Sequence, residues 1–429
     1  MELCYAVCCG LDVHKKSVVA CLRAPGPDGR RAGQVRTFAT TTRALTELAD
    51  WLVASGCTHV AMESTGIYWR PVYQILEGRM TLLLVNAAHV SKVPGRKTDV
   101  KDCEWIAELL EHGLLRSSFV PPAPQRELRE LTRSRRQLIE THSREANRVQ
   151  KVLETANIKL GDVATDVLGA SGRAMLKALI AGERDPMTLA GLAQGRLREK
   201  RAALEQVLVG CVTAHHAFLL RHLLTHLEFL EDEIGDFDRR IAEATQSMMP
   251  ALDRLDTIPG VARRSAEQIL AELGDDMRQF PTAGQAASWT GICPGNHQSA
   301  GKRRHARTPK GNRWLRSTLV ECARGAVRKR DSYLAAQYRR LAKRRGDQKA
   351  IVAVGHSILI AAWHILRDGV DYRELGGQYS IEYSVSTLFS ITSDASPTSV
   401  SASWWSKALR PDTLRSVARD RIGGTFGGF

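Results

Sequence analysis

Two aspartates at the start of a predicted helix are the sequence feature that most constrains this chain. Asp99 and Asp102 stand three residues apart, directly after Thr98, which is a favourable N-terminal cap for the apolar-periodic stretch that follows. At this spacing both carboxylates lie on one face of the first helical turn, where they repel each other unless a cation lies between them. The pair contributes little to a hydrophobic core, so it indicates a charged ligand.

Two more acids lie where predicted strands end. A β-rich run over residues 5–13 contains Asp12, and a strand over residues 57–62 is followed directly by Glu63. The predicted order is a three-stranded meander followed by helix, strand, helix, strand and helix. Ribonuclease-H-like nuclease domains bring such strand ends and a helix start to one sheet edge, and an all-carboxylate set suits Mg²⁺. Two such ions would clamp a phosphodiester, whereas each acid taken alone is also compatible with a surface or turn residue.

The charge of the chain indicates a polyanionic partner, most simply nucleic acid. The formal net charge is +15, and residues 300–350 hold 17 Lys and Arg against three Asp and Glu. The sequence has neither an apolar run of transmembrane length nor a signal peptide, and its nine cysteines include no C-x-x-C pair. These features predict a cytoplasmic protein without a membrane partner or a structural zinc site.

The middle of the chain is predicted to be helical. Residues 121–124 read as a proline-rich linker, and a long helix with leucines near heptad spacing follows. A second apolar repeat over residues 220–241 predicts a coiled-coil seam that packs on this helix, on another chain, or on both. The polar faces of the first helix either lie in solvent or lie along a phosphate backbone. The candidate nucleic-acid contacts there are Arg133, Arg136, Arg144 and Arg148.

The C-terminal part resembles a nucleic-acid-binding module. Residues 255–261 contain the turn Pro259-Gly260 before an apolar-periodic helix, which predicts a helix-hairpin-helix element whose backbone amides bind phosphate near Gly260; a plain tight turn is the alternative. The strongly basic segment that follows supplies further candidate contacts. These are Lys302, Arg303, Arg304, Arg307, Lys310, Arg313 and Arg316.

Ser299 lies between the apolar and basic parts of this region, in a loop that contains glycines. A hydroxyl becomes an effective nucleophile when a base removes its proton or when cations stabilise the charge that develops. Ser299 is therefore a candidate nucleophile, with a turn serine or a phosphate hydrogen-bond donor as the alternatives. The predicted domains are 1–117, 118–250 and 251–377, followed by a disordered tail over 378–429.

The chain resembles the DEDD transposases of bacterial insertion sequences, of the insertion-sequence-110 type. The resemblance covers roughly residues 5–375 and rests on five groups of residues. They are Gly10-Leu11-Asp12-Val13-His14-Lys15, Met62-Glu63-Ser64-Thr65-Gly66-Ile67-Tyr68-Trp69, Lys97-Thr98-Asp99-Val100-Lys101-Asp102, Ile258-Pro259-Gly260-Val261, and Ser299-Ala300-Gly301 with Gly311-Asn312-Arg313.

The resemblance implies an α/β RuvC-like domain, a helical coiled-coil region and a helical C-terminal transposase domain. Within these it implies Mg²⁺ bound by Asp12, Glu63, Asp99 and Asp102, and a covalent bond from Ser299 to DNA. It also implies homo-oligomers, either dimers or tetramers, whose protomers contribute different parts of the site. A structured non-coding RNA, the bridge RNA, would pair with donor and target DNA and direct recombination.

Sequence analysis thus predicts a Mg²⁺-dependent DNA transposase or recombinase guided by RNA. The first alternative is a metal-only RuvC-like junction nuclease, in which water attacks and Ser299 only binds phosphate. The second is a non-catalytic nucleic-acid-binding protein built on the helix-hairpin-helix and the basic helices.

Overall fold

The computed structural model of the chain divides into two compact units, Met1–Pro121 and Pro122–Phe429. The described residues are 3–26, 31–64, 66–86, 102–293 and 308–378, together with the backbone of 298–299 and 302–303. Of the sequence predictions, Thr98 and Asp99 lie outside the described residues, as does the tail from residue 379 onward.

The first unit is built on a five-stranded mixed sheet with the order β3-β2-β1-β4-β5. The strands are β1 (Cys8–Val13), β2 (Ser17–Pro25), β3 (Arg31–Ala39), β4 (His59–Glu63) and β5 (Thr81–Val85). The helices are α1 (Thr42–Ala54), α2 (Trp69–Leu76) and α3 (Asp102–Glu111). The first three strands form an antiparallel meander, and β1, β4 and β5 are parallel. The predicted mixed α/β order is therefore confirmed.

Alternating side chains on the central strands cover the sheet on both faces. Leu11 and Met62 belong to the core that α1 and α2 complete, whereas Cys8 and Ala61 face the opposite side and pack with α3. Parallel strands buried on both faces are expected to be almost continuously apolar, as β1 and β4 are. Polar side chains near the ends of these strands consequently need a reason other than packing.

One buried acid of the first unit, Glu111, is ion-paired with two arginines. Glu111, in the last turn of α3, is 1% exposed and forms ion pairs with Arg23 of β2 and Arg31 of β3. A buried carboxylate is retained in a fold when it is paired in this way. Glu111 therefore ties the C-terminal end of α3 to the antiparallel half of the sheet.

The described part of the second unit is helical apart from a short hairpin. Its helices are α4 (Ala123–Thr155), α5 (Leu160–Val163), α6 (Ala170–Ala181), α7 (Pro186–Gly191), α8 (Arg201–Val207), α9 (Ala214–Ala244), α10 (Met249–Asp256), α11 (Arg263–Leu273), α12 (Ala283–Thr290), α13 (Arg313–Ala326), α14 (Tyr333–Arg345) and α15 (Asp347–Asp368). The hairpin strands are β6 (Gln298–Ser299) and β7 (Lys302–Arg303). This agrees with the predicted helical region and helical C-terminal part, and the predicted boundary near residue 250 stays a prediction.

The two longest helices, α4 and α9, pack along each other. The apolar repeat predicted over residues 220–241 supplies much of the buried face of α9, including Leu220, Leu227 and Ile234. The seam is thus satisfied at least in part within the chain, while pairing with another chain remains a prediction. Helix α4 begins inside the predicted linker, at Ala123. Pro124 is tolerated in its first turn because a backbone N–H there has no partner within the helix.

Helix α15 is the apolar centre of the C-terminal part. Contrary to the sequence analysis, which found no apolar run of transmembrane length, this helix is long and apolar enough to cross a membrane by composition, yet 67% of its most apolar window is buried inside the unit. Burial also lowers the pKa of His356 and His364 on this helix, so both rings favour the neutral form. Helix α15 is therefore a core helix, and His364 is one of its buried residues.

Candidate active site

Asp12 and Glu63 lie next to each other at the ends of adjacent parallel strands. The β1–β4 register pairs Leu11 with Met62, and the two acids are the next residue on each strand. Alternation along the strands directs both toward the face that carries α3, and both are half-buried. The predicted meeting of these two strand ends is thus present in the fold.

The start of α3 reaches this edge because of a glycine. A Cβ added to Gly10 would lie 2.3 Å from the carbonyl oxygen of Cys103 and 2.4 Å from the backbone nitrogen of Ala107. Only glycine permits such an approach of helix to strand. Gly10 precedes Asp12 on the same face of β1, so the close contact brings the helix that begins with Asp102 to the same end of the sheet.

The thiol of Cys103 lies beside Asp102 in the first turn of α3. Burial raises the pKa of Cys103, and the negative charges of Glu104 and Asp12 raise it further. The carboxylate of Asp12 therefore acts electrostatically on the first turn of α3. The fold thus brings the strand ends that carry Asp12 and Glu63 and the start of α3 to one end of the sheet, while a shared site of these acids stays a prediction and Asp99 lies outside the described residues.

His14 is a neighbour of this edge that sequence analysis did not select. Its Nε2 lies 2.9 Å from Oδ2 of Asp12, and its side chain is 60% exposed. Such a contact can orient the carboxylate, and a protonated ring would compete with a cation for it. The signal that would have found His14 was its place two residues after Asp12, in a segment already singled out.

The donor chemistry at this edge fits a hard divalent cation, because the candidate ligands are all carboxylates. Within the described ranges, however, no three His, Cys, Asp or Glu side chains stand close enough together to hold a metal. The described acids thus agree with a metal site in type and location and do not complete one by themselves.

Ser299 lies in a two-stranded hairpin of the second unit. Its backbone pairs with Lys302 across the antiparallel ladder of β6 and β7, and Gln298 pairs with Arg303. The hairpin consequently keeps the backbone of Ser299 beside a basic residue, while Arg304 and Arg307 lie outside the described residues.

The chain segments on either side of the hairpin are held together. Gly291, with φ of +73°, ends α12, and a Cβ on Gly311 would lie 2.4 Å from the nitrogen of Gly291. The N–H of Asn312 donates to the carbonyl oxygen of Trp289 at 3.2 Å. The segment that carries Ser299 therefore leaves and rejoins the helical body at a single closed base.

Comparison with known proteins identifies the family. A model described as a transposase, of the DEDD IS110 type, matches residues 9–158. A second model, described as "Transposase IS116/IS110/IS902 family", matches residues 252–339, and together the two cover more than half of the chain. The chain belongs to the IS110 family of transposases. The resemblance drawn from the sequence motifs is thereby confirmed at the level of the family.

A curated relative supports the same assignment. This transposase is 25% identical over 339 residues to "Putative transposase y4pF/y4sB" of Sinorhizobium fredii (strain NBRC 101917 / NGR234), covering 77% of this chain and 79% of that protein. A transposase acts on DNA, and a DEDD family indicates dependence on a divalent metal.

The arginines predicted on α4 of the transposase fall into two groups. Arg133 makes a bidentate ion pair with Glu272, and Arg136 is bonded to Glu140, Ser317, Thr318 and Glu321. The other two, Arg144 and Arg148, are exposed. Their bonds stay local: Arg144 donates to Thr141, and Arg148 to Glu145. The guanidinium groups of the exposed pair are the ones available to phosphate, although a role in binding remains a prediction for all four.

The turn between α10 and α11 has a packing role. Gly260 has φ of +82°, and a Cβ there would lie 2.2 Å from the carbonyl oxygen of Cys322 in α13. This contact accounts for the glycine without a phosphate, so nucleic-acid binding at Gly260 stays a prediction. Lys310 and Arg313 are exposed and Arg316 is half-buried, which leaves the first two as accessible basic side chains near the hairpin base.

Proposed function

We propose that this transposase cuts and rejoins DNA through a covalent link to Ser299 and a Mg²⁺ site formed by Asp12, Glu63, Asp99 and Asp102. The observation that carries the proposal is the side-by-side position of Asp12 and Glu63 beneath the start of α3. Half-buried acids at one sheet edge cost stability through mutual repulsion unless they serve a ligand. The strand order β3-β2-β1-β4-β5 supports a RuvC-like, ribonuclease-H-like fold for this unit.

Each group has a distinct task in the proposed reaction. A divalent cation held by the carboxylates would offset negative charge on the phosphodiester. The oxygen of the Ser299 hydroxyl bonds to phosphorus, the bond from phosphorus to a deoxyribose oxygen breaks, and that oxygen leaves with the serine proton. Attack by the corresponding hydroxyl of another strand reverses the step and joins the new strand.

Basic side chains would position the DNA. Arg144, Arg148, Lys310 and Arg313 are exposed, and the charge of residues 300–350 supports contacts to phosphates rather than to base edges. Lys302, Arg303, Arg304, Arg307 and Arg316 belong to the same basic stretch and complete the proposed surface, and the α10–α11 turn is proposed as a helix-hairpin-helix that adds a backbone contact.

Guidance by a bridge RNA is the most specific part of the proposal. A protein that reads phosphates and duplex shape obtains sequence specificity when base pairing supplies it. Sequencing of RNA that co-purifies with the protein tests guidance: enrichment of one structured RNA encoded beside the gene supports it, and random cellular RNA contradicts it.

We further propose a cytoplasmic homo-oligomer, dimeric or tetrameric. Apolar positions of α4 and α9 that are not used within the chain would contribute its coiled-coil contacts.

A strand-exchange assay with matched variants tests the chemistry. Asp12→Asn and Glu63→Gln should each lower the rate of strand exchange at least about 100-fold, whereas Glu108→Gln, on the exposed side of α3, should leave it unchanged. Ser299→Ala should abolish exchange, with Ser288→Ala as the neighbouring control. Cleavage of DNA by Ser299→Ala at the wild-type rate would instead favour water attack in a metal-only nuclease.

A further inference from the structure

Glu272, in the last turn of α11, collects an unusual set of partners. Its side chain is 3% exposed and forms a bidentate ion pair with Arg133, at 2.7 and 2.8 Å. Its carboxylate also lies 3.4 Å from Nε of Arg129. A single carboxylate thus faces two arginines of α4, so its negative charge is shared between two positive charges.

The third partner of Glu272 comes from the base of the Ser299 hairpin. The side-chain amide of Asn312 donates to Oε2 of Glu272 at 2.6 Å. The amide oxygen of Asn312 accepts from the backbone N–H groups of Trp314 and Leu315, which caps α13. Its own backbone N–H bonds to Trp289, so Asn312 connects α11, α12 and α13 at one point.

The two arginines extend this connection to the aromatic residues that flank the base. The guanidinium of Arg129 lies 5.5 Å from the ring centre of Trp289, and that of Arg133 lies 5.7 Å from that of Trp314. Burial lowers the pKa of Arg129 to about 10, an effect that the charge of Glu272 opposes. Both chain segments that border the hairpin are consequently held by groups assembled around Glu272.

We propose that Glu272 and Asn312 form a positioning clamp for the Ser299 hairpin. Neither residue is catalytic: they hold the two ends of the segment so that the nucleophile presents one geometry to the phosphate. The inference rests on the proposed role of Ser299. It also assigns Arg133 to the clamp rather than to DNA, since Nε and Nη2 of its guanidinium both donate to Glu272.

The clamp should affect the chemical step more than DNA binding. Misplacement of a reacting group by about 1 Å costs on the order of 100-fold in rate, whereas contacts to phosphates elsewhere remain. A purely structural role would instead lower stability, binding and reaction together.

An exchange of the two side chains tests the clamp. Asn312→Asp keeps a good helix cap but places a carboxylate against Glu272, and Glu272→Gln removes the partner charge. The double variant restores the hydrogen bond with reversed polarity, because the new glutamine amide can donate to the new aspartate. Gln206→Glu, on an exposed position of α8 outside the proposed DNA contacts, is the control for the added negative charge.

The readouts are the single-turnover rate of covalent-adduct formation at saturating DNA, the Kd for that DNA, and hydrogen exchange of residues 308–316. Asn312→Asp should slow adduct formation by about 10–100-fold and leave the Kd for DNA within about threefold. It should also speed hydrogen exchange of the backbone amide of residue 312. The double variant should recover most of the rate and of the protection.

An unchanged adduct rate in Asn312→Asp, or a double variant that recovers neither rate nor protection, overturns the clamp. Hydrogen exchange can be measured without any DNA reaction, so it separates this inference from the nucleophile proposal. If the wild-type protein forms no adduct but the variants still change hydrogen exchange, the clamp stands as an anchor of the hairpin and the proposed role of Ser299 fails.

Discussion

The two units of this transposase can be compared at one buried charge each, and the two charges have opposite signs. In the first unit a buried acid, Glu111, is surrounded by Arg23 and Arg31. In the second unit a buried arginine, Arg135, is surrounded by Glu267 and Asp238. Both residues hold elements together, as Glu272 also does in the second unit, whereas more exposed residues of the same types are candidates for function.

The comparison shows that pairing and burial, rather than residue type, separate structural from functional charges. Helix α3 begins with the candidate ligand Asp102 and ends with the ion-paired Glu111. Helix α4 likewise carries Arg133 in a buried network and Arg144 on its exposed side. The same element therefore serves stability at one position and, in our account, catalysis or binding at another.

The largest effect should come from the arginine at the centre of the second unit. Arg135→Ala leaves Glu267, 7% exposed on its side chain, dependent on the more exposed Arg263. Loss of one member of a buried pair costs about 3–5 kcal/mol. Urea denaturation should show this loss, and Arg144→Ala should change the free energy of unfolding by less than about 0.5 kcal/mol. Equal effects of the two variants would contradict the distinction.

Glu111→Gln is the matching test in the first unit. We expect a loss of about 2–3 kcal/mol, because the arginine partners are each about a quarter exposed and recover some hydration. Hydrogen exchange restricted to peptides of residues 3–121 measures it. Glu108→Gln on the same helix is the control, and a loss there as large as in Glu111→Gln would show that the ion pairs are not the cause.

Gly10→Ala should disturb the candidate metal edge directly. The added methyl group meets the backbone of α3, which cannot move aside as a side chain can, so we expect a loss of about 1–3 kcal/mol and a larger loss of strand exchange. In Gly33→Ala the new Cβ lies 3.8 Å from the sulfur of Cys21, an ordinary contact. That control should be neutral in both assays, and full activity of Gly10→Ala would contradict the placement of α3.

The smallest effect concerns the salt dependence of DNA binding. If Arg144 and Arg148 contact phosphates, Arg144→Gln and Arg148→Gln should each reduce the slope of log K against log salt by about 1. Arg136→Gln should leave the slope unchanged, since its guanidinium is already bonded within the unit. Titrations of one duplex at several salt concentrations provide the measurement, and a reduced slope in Arg136→Gln alone would reverse the assignment.

Sequence patterns predicted the order of elements in the first unit and the convergence of Asp12 and Glu63, because strand alternation and parallel pairing fix both. They also predicted the apolar faces of α4 and α9. They did not distinguish Arg133 from Arg144, since the distinction depends on Glu272, which is 139 residues away along the chain from Arg133. His14 was missed although it stands two residues after Asp12, because the 2.9 Å contact between its Nε2 and Oδ2 of Asp12 is visible only in the fold.

Peptide mapping of a trapped protein–DNA complex tests the central claim most directly. Trypsin should release residues 279–302, which contain both Ser288 and Ser299 and end at Lys302. After nuclease digestion, tandem mass spectrometry should find a nucleotide on Ser299 in the wild-type protein and none in Asp12→Asn. A nucleotide on another residue, or cleaved DNA without any adduct, would contradict the account.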